Sequence, residues 1–505
     1  MSKPLSRPRE RSPNNGEPAE PSTQVQATGE RAVMNTLYRT GGEIVGRFAS
    51  LLLFAEAGRS LGESGLGAFV FAVAFTGFVM VPVGLGLDRY LLREIAQERS
   101  SQHHLFFNVL ALKLVLAVPL FALGFLGLHL VGYGAQAQTT AWVLAPGVFS
   151  DSIARTQLAL FAAHERNGPP AAADAINRVL SAVLGIVALK LGYGVVSVGV
   201  TYSIGSLTGV AISFWLMART IAIPSVAIAR QRWRALAAIS VPFAVQEIFT
   251  TLLARVDTLI LSVLVTQAAV GRYGAAYRLF ESTLFISYAL VGAFSAMFTY
   301  LGTDTSPTLR TVFERSIKLS LVALTPLAVV FVVLARPLCE LIYGPAFGSA
   351  ALPLRILGPG VVPVGIVMLV TSLVISRGDP RRIVRVTGVM VAVNIALNFL
   401  LIPLYGVTGA AAAMLATEAL YLVATTRLAL RTVGHIAWTP TAIGALAGGL
   451  AMTVASLPLH DNLPAGLASG VGAYLVTVLV VERLVSPLDV RFVMSMARRR
   501  LRVGL

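Results

Sequence analysis

Apolar blocks about twenty residues long recur from one end of this chain to the other, and that recurrence leaves few folds open. A helix needs about 20 apolar residues to cross the roughly 30 Å of bilayer hydrocarbon. Inside lipid the backbone must satisfy its own hydrogen bonds, which leaves helices or a closed barrel. Of 505 residues, 56% are hydrophobic and 13% charged, about half the charged fraction of an ordinary soluble domain. The expectation is an all-α polytopic membrane protein with about 14 transmembrane helices. We place them near 33–58, 66–88, 105–130, 139–162, 172–190, 195–218, 236–264, 273–300, 317–335, 351–376, 384–403, 408–426, 437–456 and 464–482.

Charge then sets the orientation. A formal charge of +16 would suggest nucleic acid in a soluble protein. Here basic loops held against anionic lipid explain it, and no nucleic-acid partner is expected. The loops assigned to the outer side carry only Arg59, Lys190, Arg272 and Arg336. The other Lys and Arg outside the spans fall in tails and loops assigned to the cytoplasm, as the positive-inside rule requires. We therefore expect a multi-pass protein of the inner or plasma membrane with both termini cytoplasmic. No apolar leader with a cleavage site precedes the first span. The single cysteine, Cys339, rules out an intrachain disulfide and a cysteine metal site.

Two junctions repeat about 210 residues apart. ESGLGAFVFA (63–72) parallels AVGRYGAAYRL (269–279), with Gly67 matched to Gly274, and Tyr193-Gly194-Val195 parallels Tyr405-Gly406-Val407. Because each copy contains six helices, the copies should run in the same sense, related by an axis along the membrane normal. The expected division is a disordered tail over 1–30, an N-lobe of six helices over 31–218 and a pseudo-symmetric C-lobe of six over 219–430. A helix pair follows over 431–482, then a basic tail over 483–505. That tail holds RFVMSMARRRLRVGL, either a membrane-surface helix or a solvated end.

Several ionisable groups lie at depths where a charge costs at least ~2.5–3.5 kcal/mol. Arg39, Glu43 and Arg47 recur every fourth residue in the first span, which stacks them on one helix face. They predict a wet cavity or, alternatively, an ion-pair ladder with Arg39 reaching back to the headgroups. The first lobe adds Asp88 and Arg89, and the pairs Asp151/Arg155 and Asp174/Arg178, each acid four residues before its arginine and so able to pair with it. The second lobe adds Glu247, Arg255 and Asp257, then Arg278 and Glu281. Lys113 reads as a lysine snorkelling to the surface, and Glu418 is a buried outlier. Arginine suits a pyrophosphate because its planar fork donates two parallel hydrogen bonds and keeps its charge when partly desolvated. The expected substrate-binding set is Arg39, Glu43, Arg47, Asp151, Arg155, Arg178, Glu247, Arg255, Asp257, Arg278 and Glu281. The carboxylates would hold the arginines in the empty site, and one could take up a coupling proton or sodium ion. No cofactor or metal site is expected. Breaks at Pro82 with Gly84 and Gly86, at Pro242 and within GPGVVPVG (358–365) should kink or hinge their helices.

The stretches GLGLDRYLLREIA (84–96), RVDTLILSVLVTQAAVGRYGAAYRL (255–279) and NIALNFLLIPLYGVTGAAAA (394–413) resemble the multidrug/oligosaccharidyl-lipid/polysaccharide exporter superfamily. Within it they resemble the Wzx-like polysaccharide flippases. The resemblance covers most of 33–430 and implies two six-helix bundles in a V, alternating access, and movement of an undecaprenyl-pyrophosphate-linked oligosaccharide to the outer leaflet. It also suggests, as in the lipid II flippase branch, that the last helix pair shelters the lipid tail. Membrane lipids and polysaccharide polymerase or glycosyltransferase machinery would then be partners. Two alternatives remain at this stage. A cation-coupled multidrug exporter would want an acidic, aromatic site, whereas near the first lobe the embedded arginines match or outnumber the acids. A membrane glycosyltransferase or polysaccharide polymerase would normally carry catalytic acids on sizeable outer loops, and these loops are short. No GxxxxGK[ST] motif is present for nucleotide-driven transport.

Overall fold

The computed structural model describes residues 23–221, 223–226, 228–301 and 307–485. The side chains of 23–40, 43, 242, 307, 432 and 439 lie outside that description. The described residues form helices and no strand. In order they are α1 (Thr23–Gly84), α2 (Leu87–Gln97), α3 (Gln102–Leu130), α4 (Ala135–Ala163), α5 (Gly168–Lys190), α6 (Val195–Thr220), α7 (Trp233–Leu264) and α8 (Gln267–Tyr300). Then come α9 (Pro307–Val333), α10 (Ala335–Tyr343), α11 (Ala351–Leu357), α12 (Val361–Ser376), α13 (Pro380–Tyr405), α14 (Val407–Val433), α15 (Trp438–Ser456) and α16 (Leu463–Val485). Helix α1 begins within the region expected to be a disordered tail. The basic C-terminal segment RFVMSMARRRLRVGL, read as either a membrane-surface helix or a solvated end, lies outside the described residues.

Helix α1 is a hairpin. At Gly62 the backbone takes φ 66 and ψ −173, a combination open to glycine and not to other residues. The Phe54 and Phe69 rings lie 5.1 Å apart, whereas fifteen residues of continuous helix would separate them by ~22 Å. Each arm therefore lies against the other, as the separate spans 33–58 and 66–88 require. By length and apolarity the described residues hold 11 membrane-crossing helices, or up to 12 if a bent pair is one span, so that measure does not reach fourteen. Ile44–Gly84 is one apolar run of 41 residues, at ~1.5 Å per residue twice the hydrocarbon thickness and so enough for two spans. Helix α4, 29 residues long and carrying Asp151 and Arg155, is too polar to count among those eleven.

The expected breaks are present. Helix α1 ends at Gly84, Leu85 has φ 44, and α2 starts at Leu87. Helix α7 bends by 58° at residue 242, where a proline removes a backbone donor. Gly358–Gly360 form a 3-10 turn between α11 and α12. The two Tyr-Gly-Val junctions share their helix starts, with Gly194 and Gly406 as N-caps, Val195 and Val407 opening α6 and α14, and both tyrosines exposed, but Gly406 has φ 56 where Gly194 has φ −77.

The other repeat needs a correction. A Cβ on Gly67 would lie 1.9 Å from the Gln267 carbonyl oxygen, and one on Gly271 would lie 1.9 Å from that of Glu63. The contact is reciprocal with an offset of 204 residues, so Gly67 corresponds to Gly271 and not to Gly274. The backbones of α1 and α8 touch here because neither has a side chain in the way, a device common at membrane helix crossings. The largest apolar core extends from this crossing through α1, α8 and α10–α12. At the end of α16, Glu482 pairs with Lys318 of α9, and the Tyr474 hydroxyl donates to the Val322 carbonyl at 2.7 Å, fastening the last helix pair to α9.

Candidate functional site: an arginine-lined cavity

The first arm of α1 presents Arg47, Ser50 and Leu53 one turn apart, and this face lines two adjoining compartments. One, of about 350 Å³, is walled by Arg47, Arg178, Arg255, Arg278, Glu281 and Tyr277, with Phe54 and Phe69 above. Four arginines face one carboxylate. Glu281 accepts from Arg278 at 2.9 Å and from Arg255 at 3.4 Å, so it holds both guanidiniums. Arg278 also bonds the Ser50 hydroxyl and lies over the Phe54 ring, 4.5 Å from its centroid. Arg47 reaches the Glu281 carbonyl oxygen at 3.5 Å and sits 5.4 Å from the Tyr288 ring centroid. Side chains of Arg255, Arg278 and Glu281 keep 34%, 20% and 23% of their exposure, so they are accessible from the cavity. The second compartment, of about 380 Å³, shares Arg47, Ser50, Leu53, Arg178 and Tyr202 and adds Asp151, Arg155, Asp174, Asn177 and Ser181 from α4 and α5.

Of the residues singled out from sequence, Arg47, Asp151, Arg155, Arg178, Arg255, Arg278 and Glu281 all reach this cavity. The helix carrying Arg39 and Glu43 is described, but their side chains lie outside the described residues. Two residues are not where the expectation placed them. Asp257 is 2% exposed and engaged by the Tyr273 hydroxyl and the Thr258 amide, off the cavity wall. Glu247 lines neither compartment. One helical pair forms as expected, Arg178 to Asp174 at 2.9 Å. The other does not: Asp151 accepts from the Tyr202 hydroxyl instead of from Arg155. Tyr202, Tyr277, Tyr288 and Ser50 were missed because a search for charges passes over hydroxyls, although Ser50 sits one turn beyond Arg47 on the same face.

Lys113 corrects a further expectation. It does not snorkel: it is fully buried, with its ammonium 2.7 and 2.8 Å from the Asp88 oxygens. It also donates to the Ser152 carbonyl at 3.1 Å and the Thr156 hydroxyl at 2.9 Å. Thr156 in turn bonds Asp88 at 2.7 Å. The three ammonium donors are thus consumed within the protein. No cluster of three or more His, Cys, Asp or Glu suited to a metal occurs among the described residues.

A family model described as polysaccharide biosynthesis protein matches residues 32–303, and a MatE model matches 242–400. The chain is 22% identical over 368 residues to the probable low-salt glycan biosynthesis flippase Agl15 of Haloferax volcanii, covering 73% of this chain and 76% of that protein. Its fold is similar to the lipid II flippase MurJ in an inward closed conformation, with TM-score 0.71, 14% identity, and coverage of 89% and 99% of the two chains. It is also similar to an inward-facing multidrug resistance MATE family transporter, with TM-score 0.64, 15% identity, and coverage of 79% and 100%.

Proposed function

Because the chain belongs to the polysaccharide biosynthesis protein family, we propose that it is a flippase that carries an undecaprenyl-pyrophosphate-linked oligosaccharide from the cytoplasmic to the outer leaflet by alternating access. The observation that carries this reading is the cationic compartment, in which Arg47, Arg255 and Arg278 outnumber Glu281, with Arg178, itself paired to Asp174, on the same wall. Such an excess of guanidinium is costly within a bilayer unless an anion arrives to meet it. A pyrophosphate meets it well, since each planar fork can donate two parallel hydrogen bonds to phosphate oxygens. Glu281 keeps Arg255 and Arg278 in place between loads and yields them when phosphate binds.

The same excess disfavours export of cationic drugs, which would be repelled. Movement requires the crossing of α1 and α8 at Gly67 and Gly271 to part and re-form. The hairpin end is further tied by Arg59 to the Ile342 carbonyl at 2.9 Å and by Ser349 to Glu63 at 2.7 Å. We assign this end to the outer side. Depletion of the protein in its host, followed by mass spectrometry of polyprenyl-linked sugars, tests the reading. An accumulating pyrophosphate-linked oligosaccharide supports it; unchanged lipid-linked pools with heightened drug sensitivity would replace it by the exporter reading.

A further inference from the structure

The two compartments differ in what their polar groups still lack. In the α4–α5 compartment both carboxylates are engaged, Asp151 by the Tyr202 hydroxyl and Asp174 by Arg178. Arg155 is not. It lines the compartment, is exposed to it, and among the described residues makes no hydrogen bond or ion pair. It lies eight residues before the end of α4, ~12 Å along the helix axis, too deep to be an ordinary surface arginine. The surrounding wall combines apolar side chains such as Leu53, Leu158 and Pro170 with amides and hydroxyls from Asn167, Asn177, Ser181, Ser213 and Tyr202. Groups of this kind match ring hydroxyls, which both donate and accept.

We propose that this compartment is the glycan subsite and that Arg155 selects a sugar bearing an anionic substituent, a carboxylate or a sulfate ester. The proposal rests on the flippase reading for its substrate and adds the class of sugar. The compartments share Arg47, Ser50, Leu53, Arg178 and Tyr202, so a pyrophosphate held by Arg255 and Arg278 places the sugars that follow it beside Arg155. A guanidinium with no hydrogen-bond acceptor among the described residues, its neighbour Asp151 being bonded to Tyr202, makes a charge-assisted, two-pronged contact with such a group, and leaves a neutral sugar without that contact.

The test is binding to the full chain in lipid nanodiscs, with three polyprenyl-pyrophosphate disaccharides as probes: one neutral, one with a terminal uronate, one with a terminal sulfate ester. The wild type is expected to bind at least one acidic probe about tenfold more tightly than the neutral one, and the acidic probe that gains names the substituent. In Arg155→Gln that ratio should fall to about one, with Arg155→Lys intermediate because it keeps charge without the fork. Thermal unfolding of each variant confirms that the fold persists. A ratio near one in the wild type, or a ratio unchanged in Arg155→Gln, overturns the proposal. Arg255→Ala separates the two claims: it should weaken all three probes alike, and no effect there contradicts the pyrophosphate assignment alone. Binding of none of the probes overturns both.

Discussion

Two groups of embedded charges in this molecule behave in opposite ways. Around Lys113, one cation meets Asp88, Thr156 and the Ser152 carbonyl, and every donor is matched. Around Glu281, Arg255, Arg278 and Arg47 converge on a single acidic residue, and the cavity beside them stays open. The first arrangement spends its ammonium on groups of the protein and holds α2, α3 and α4 together. The second has positive charge in excess and room to use it. A charge inside a membrane helix therefore marks function only where its partners fall short.

Four experiments would break or sharpen this contrast. The largest effect is expected at the saturated cluster. Lys113→Ala strands Asp88 and should cost about 3–5 kcal/mol of stability, while Asp88→Leu with Lys113→Met should recover most of it, both read by thermal unfolding in detergent. If Lys113→Ala unfolded normally but lost transport, the cluster would belong with the functional group. Next come Arg255→Ala and Arg278→Ala. Each removes a contact to an anionic head for which about 2–5 kcal/mol is a fair range, so transport should drop roughly thirtyfold or more. Glu281 retains the other arginine, and the melting temperature should barely move.

Gly271→Ala is expected to act more mildly, by about 1–3 kcal/mol, since its methyl would meet the Glu63 carbonyl oxygen. Cross-linking of cysteines placed on either side of the crossing of α1 and α8 would show it spread; unchanged cross-linking would remove this crossing from the gate. The smallest effect is at Cys339, on α10 outside the apolar spans. Burial, followed by the neighbouring Glu340 charge, pushes its thiol up to about 12, so almost no thiolate exists at pH 7–9. Maleimide should leave the native protein unlabelled and label it on unfolding, and rapid native labelling would show that α10 lifts away.

Much of this was legible beforehand. Apolar block length gave the helices, and Pro242 and the Gly358-Pro359-Gly360 run located their breaks, because a missing amide or side chain acts locally. The placement of Arg47, Arg255, Arg278 and Glu281 inside apolar spans pointed to a shared site. What could not be read was which way each charge turned. Asp151 and Arg155 have the spacing of Asp174 and Arg178, yet only the latter pair closes, because Tyr202 of α6 arrives from elsewhere in the chain to take Asp151. Lys113 looked isolated because Asp88 lies 25 residues away and Thr156 lies 43 away. The register of the repeat slipped by three residues for a similar reason: several glycines fit the pattern, and only the contact with Glu63 selects Gly271.

The central claim is that the arginine-walled cavity recognises an anionic lipid head. It is tested most directly by reconstituting the purified chain in vesicles and following two labelled polyprenyl disaccharides from one leaflet to the other, one joined through pyrophosphate and one through a neutral ether. The account predicts that the pyrophosphate lipid crosses and that Arg255→Ala and Arg278→Ala halt it, with the neutral lipid left behind. Equal transport of both lipids, indifferent to those substitutions, would contradict it.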